Sequence, residues 1–181
     1  MCIRDRFYAA QFLGIFSFLP TIYRDAGIDL RLGGALTAIA VLGNALGNLA
    51  SGHFLQAGAR RSTLILVAAT VMGTSSWVLF GSGAPFIVQY SAALVFSITA
   101  GLTPGVLFAS VPAYAPDSRA VSTTVGLMQQ GSGIGQALSP PLVAWLVQAN
   151  GDWSVTWIAT SVCALGAALI ALGMRRLDAR R

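Results

Sequence analysis

The sequence predicts an all-α membrane protein, a bundle of six transmembrane helices. Three observations carry that expectation. Charged residues make up 9% of the chain, against roughly 25% in an ordinary soluble domain, while hydrophobic residues reach 55% and mean hydropathy is +0.71. Apolar stretches recur at about the 20 residues a membrane helix needs. The charges, eleven Arg and six Asp with no Lys or Glu, gather mostly in the short gaps between those stretches. A soluble fold of 181 residues could not cover its core with so little polar surface.

The spans follow in order, each read as a helix because lipid offers no partner for an open backbone N–H or C=O. The first covers about 7–23 and offers Tyr8, Gln11 and Phe12. After the gap RDAGIDLR comes a second at about 32–54. In it Gly43, Gly47 and Ser51 recur every four residues and so share a face, with Asn44 and Asn48 one position on. QAGARR leads to the third span, about 62–81, and GSGAP to the fourth, about 85–111, which offers Tyr90, Ser97, Thr99 and Thr103. PAYAPDSRA precedes the fifth, about 121–148, where Gly131 and Gly135 form a small face among Gln129, Gln130, Ser132 and Gln136. Pro140 and Pro141 remove two amide donors and are expected to bend or break that helix. QANGDWS leads to the sixth, about 154–174, and 175–181 form a basic tail.

Charge asymmetry orients the bundle. With a cytoplasmic start, the inner side holds Arg60, Arg61, Arg119, Arg175, Arg176, Arg180 and Arg181, and the outer side only Arg24 and Arg31. Both ends are then expected in the cytoplasm, with the chain in a bacterial inner membrane. Trp153 and Trp157, and Trp77 with Phe80, suit the interfaces. The pI near 10 does not point to nucleic acid, since the arginines are scattered and no basic stripe interleaves with aromatics. Cys2 and Cys163 build neither a disulfide framework nor a metal-ligand cluster, so neither metal nor cofactor is expected.

Two motifs carry a family resemblance. SGHFLQAGARRSTL from Ser51 resembles the glycine–arginine loop signature of the major facilitator superfamily, which recurs between the second and third helices of each six-helix half. Gly52 fits its leading glycine and Arg60 with Arg61 its closing basic pair. The acidic position falls on Gln56, the first arginine on Ala57 and the second glycine on Ala59. GLMQQGSGIGQALSPP from Gly126 resembles the superfamily's glycine–proline helix motif, with Ser139 in place of its third glycine. FLPTIYRDAGID and GLTPGVLFASVPAYAP resemble its seventh and tenth helices.

The resemblance implies the C-terminal half of a twelve-helix carrier, itself a 3+3 inverted repeat, with a missing N-terminal six-helix half as partner. It implies secondary active transport of a small-molecule solute by alternating access across the lipid bilayer. It also offers a reading of the opening MCIRDR: Met1–Arg6 matches a translated sequencing adapter fused to a truncated frame, the alternative being a genuine basic start. In such carriers the first and fourth helices of a half line the cavity and the second and fifth gate it. The substrate-binding candidates are therefore Gln11, Asn44, Gln129, Gln130 and Tyr90. Gly43, Gly47, Gly52, Gly131, Gly135 and Pro140 are the gating and packing candidates. Structural glue stays open for the amides, as does an anchoring role for Tyr90.

After residue 6 no span holds an Asp, Glu, Arg or Lys near mid-membrane, so a coupling proton would need its carboxylate in the missing half. Two other readings remain: a non-transporting six-helix membrane protein, and an intramembrane serine hydrolase using Ser132 and His53. Against the hydrolase, His53 precedes the serine in the chain and lies at the inner edge of its span.

Overall fold

The computed structural model describes the backbone of residues 2–114 and 117–178 and most of their side chains. The side chains of the tail expected at 175–181, and those of residues 1–4, lie outside the described residues. Among the described residues the fold is helical throughout: α1 (Cys2–Phe16), α2 (Leu19–Asp25), α3 (Leu30–Gln56), α4 (Arg61–Phe80), α5 (Phe86–Tyr114), α6 (Val121–Asn150) and α7 (Thr156–Asp178). Single 3-10 turns at Ser118–Ala120 and Trp153–Val155 lead into α6 and α7. By length and composition, Leu30–Gln56, Arg61–Phe80, Phe86–Pro112 and Trp153–Gly173 can each cross a membrane. α6 is long enough, but its glutamines, serines and glycines dilute its apolarity.

The sequence reading treats 7–23 as a single span, and the structure divides it. α1 stops at Phe16 and α2 resumes at Leu19. Pro20 is the cause: it lacks the N–H that would bond the carbonyl four residues back, on Phe16, and its ring would clash there. Proline is at home in the first turn of α2. The proline pair of α6 behaves differently from the break that the sequence left open, since the helix runs unbroken through Pro140 and Pro141. α6 is clamped to α1 on both sides of the pair: Gly135 lies against the carbonyl of Arg6, and Val143 beside Gly14.

Packing reveals the repeat. α3 lies along α5 and α1 along α6; α4 contacts both α5 and α7, and α7 contacts α1. Exchanging the first three spans for the last three (α1 with α5, α3 with α6, α4 with α7) maps this set of contacts onto itself. Each span pair so exchanged runs in opposite directions, which makes the 3+3 repeat inverted. Gly43, Gly47 and Ser51 of α3 are the counterparts of Gly131, Gly135 and Ser139 of α6, and all six are buried.

These small residues set how closely the helices approach. A Cβ on Gly47 would fall on the carbonyl of Ile98, and one on Gly101 on the carbonyl of Asn44. A Cβ on Gly105 would meet the Ser51 hydroxyl. In the other repeat a Cβ on Gly14 would lie 2.5 Å from the Ser139 oxygen, and that hydroxyl donates to the carbonyl of Ala10 at 2.5 Å. Gly101 and Gly105, on either side of Pro104, are thus close-packing residues. Membrane helices gain their association from such contact, because lipid is as apolar as a leucine face.

The alignment of α1 with α6 also fixes depth. Arg6 lies level with Gly135, the middle of α6. The described first turns of α1 thus stand level with the middle of α6.

Candidate functional site

At that same depth α1, α3 and α5 meet, and their polar side chains converge. Asn44, at the middle of α3, donates from Nδ2 to the Tyr8 hydroxyl at 3.2 Å and to the carbonyl of Ser97 at 3.4 Å. The Gly47–Gly101 contact makes this reach possible by bringing the α3 and α5 backbones together. The Ser97 hydroxyl is fully buried with no partner among the described residues. A ring ladder continues from Tyr8 through Phe12 and Phe16 to Phe96, with Phe12 and Phe16 stacked at 4.5 Å. A buried hydroxyl without a partner is costly, and an ordered water or a bound group is one way to satisfy it.

Around this cluster the exposed amides are not randomly placed. Asn48, one turn from Asn44, is exposed, and so are Gln129 and Gln136, two turns apart on one flank of α6. The opposite flank of α6 carries exposed Leu127, Ile134, Leu138 and Trp145, the apolar surface that lipid prefers. α3 divides likewise, with Ile39, Leu42, Leu46 and Leu49 exposed away from its amides.

Of the candidates, then, Asn44 joins the mid-depth cluster and Gln129 lies on the polar flank. Gln130 is exposed too, but about 100° further round the helix, toward the apolar side. Gln11 is buried and bonded to α7: its Nε2 donates to the carbonyl of Thr160 at 2.6 Å, beside a small cavity that it lines with Tyr8. The Thr160 hydroxyl in turn pairs with that of Ser76, joining α4. Tyr90 is two turns of α5 from Ser97, in an outer aromatic group with Tyr23 and Phe86, and its hydroxyl donates to the carbonyl of Leu36 at 3.2 Å. The structure therefore does not bring Gln11, Tyr90 and Gln129 into one constellation. The sequence reading undervalued Tyr8 and Ser97, which it left as generic cavity residues. The signal was present in Gly101 and Gly105, whose four-residue spacing matches Gly43 and Gly47 and identifies α5 as the partner of α3.

Gly52, Arg60 and Arg61 fall where the chain turns from α3 to α4. Gly52 is in the last turns of α3, Arg60 precedes α4 and Arg61 opens it, while Gly58 makes the turn at φ +86°. A family model described as Major Facilitator Superfamily matches residues 7–181, starting directly after MCIRDR. The chain belongs to the major facilitator superfamily. No curated protein matched it. Members of the superfamily are membrane transporters rather than enzymes, and the structure does not pair Ser132 with His53: Ser132 is buried in α6 beside Asp5, while His53 is exposed in the last turn of α3. In a superfamily bundle the mid-depth position of Tyr8, Asn44 and Ser97 is the level at which inverted-repeat transporters hold their cargo.

Proposed function

We propose that this chain is the C-terminal half of a secondary active carrier that moves a small solute by alternating access, with a second six-helix half facing the amide flanks of α3 and α6. The carrying observation is the pairing of a mid-depth polar cluster with the exposed amides Asn48, Gln129 and Gln136 on flanks of α3 and α6 that face away from their exposed leucines. Lipid cannot satisfy Asn48, Gln129 or Gln136, whereas a water-filled cavity or an opposing half can. Asn44 and Gln129 are assigned to solute contact, and Gln11 to positioning α1 on α7.

The test is solute uptake and binding by the intact carrier in proteoliposomes. Asn44→Leu and Gln129→Leu should each weaken apparent affinity by a few-fold to about tenfold, the worth of one hydrogen bond of roughly 0.5–1.5 kcal/mol. Unchanged affinity in both variants would remove these residues from the site.

The proposed orientation puts Arg60, Arg61 and Arg119 in the cytoplasm of a bacterial cell and Arg24 and Arg31 outside. A cysteine at Ser82, between α4 and α5, in a Cys2→Ala, Cys163→Ala background should react with an impermeant maleimide on intact cells. Labelling only after the membrane is opened would reverse the topology.

A further inference from the structure

α6 and α7 both grip α1 yet scarcely touch one another, and between them lies a groove of about 380 Å³. Phe7 and Gly14 form its floor, Leu138 and Leu142 one wall, Val162 and Cys163 the other. Arg6 borders the groove and is exposed, and the other polar groups that reach it are bonded inward: Gln11 to the carbonyl of Thr160, Ser139 to that of Ala10, and the Thr160 hydroxyl to that of Thr156. The groove therefore offers water almost nothing to bind, and water needs two to four partners to stay.

The rim decides what covers it. Leu138, Leu142 and Val162 are 66%, 52% and 61% exposed, and they stand on the lipid side of the bundle, away from the Gln129–Gln136 flank. An unfilled groove would forfeit dispersion contacts along its whole lining. A hydrocarbon chain is thin enough and is present at that surface in excess. We propose that one acyl chain of a membrane lipid occupies this groove and completes the packing of α1 between α6 and α7.

Cys163 reports on it, because it is half-buried in the groove and is the only cysteine left in a Cys2→Ser background. In protein purified with its lipids, N-ethylmaleimide should modify Cys163 slowly. Stripping the lipid with a bile-salt detergent, which has no straight chain, should raise the rate several-fold. Adding dioleoyl phosphatidylcholine should restore protection, and dihexanoyl phosphatidylcholine should not. Ala159→Phe, which narrows the groove from the α7 wall, should slow the reaction in stripped protein. A rate indifferent to stripping overturns the proposal. So does protection that follows protein concentration instead of lipid, which would seat a second copy of the chain on this face.

Discussion

Gly101→Ala is expected to cost more than the roughly 1–3 kcal/mol that one extra methylene ordinarily costs a packed interior, and to lower the folded yield sharply. The added Cβ would land on the Asn44 carbonyl and lie 2.8 Å from the Asn48 nitrogen, both main-chain atoms of α3. A side chain can rotate away; a helix backbone cannot. α3 and α5 would have to separate, and the Asn44 bonds to Tyr8 and Ser97 would lengthen with them. The sign is informative because alanine is favoured over glycine in a helix interior by up to about 1 kcal/mol. Gly52→Ala and Gly133→Ala, where nothing lies within 4 Å of the new methyl, should be neutral or slightly stabilising. Thermal unfolding of the three variants in detergent measures the difference. Equal stability of Gly101→Ala and Gly133→Ala would mean that α3 and α5 do not make this contact.

Gln11→Ala should be the most damaging change to a polar side chain, at about 2–4 kcal/mol, combining a lost interhelical hydrogen bond with a cavity where a long side chain stood. Gln11 is 2% exposed and ties α1 to Thr160 of α7. Gln11→Leu keeps most of the volume and should cost only the bond, about 0.6–1.7 kcal/mol. In the intact carrier both variants should retain solute affinity once folded, since the amide faces α7 and not the Asn44 cluster. Melting temperature and solute affinity read on the same preparations separate the two roles. A tenfold weaker affinity at unchanged melting temperature would return Gln11 to the binding site.

Much of this molecule is legible in the chain because a membrane simplifies the code. Lipid forbids unsatisfied backbone, so length and apolarity alone announce helices. α3, α4 and α5 begin and end within a few residues of their expected limits, since the gaps RDAGIDLR, QAGARR and GSGAP mark both sides of each turn. The four-residue spacing of Gly43, Gly47 and Ser51 likewise identifies a packing face before any partner is known. Amides at Asn44 and Gln129 stand out for the same reason, as groups that lipid cannot satisfy.

What the sequence alone determined is thus which stretches are helical, which faces are small and which positions are polar. Only the tertiary structure decided what each face meets. Pro20 falls at a helix break while α6 runs unbroken through Pro140 and Pro141, pinned to α1 on both sides of the pair. Gln11 and Asn44 are both amides in apolar helices, indistinguishable by composition. One is bonded to α7 and the other to Tyr8 and Ser97, because helix rotation, set by glycine contacts as remote in sequence as Gly47 with Gly101, aims them differently. Local propensity acts over a few residues; the direction of a side chain in a bundle is fixed by contacts between helices far apart in the chain.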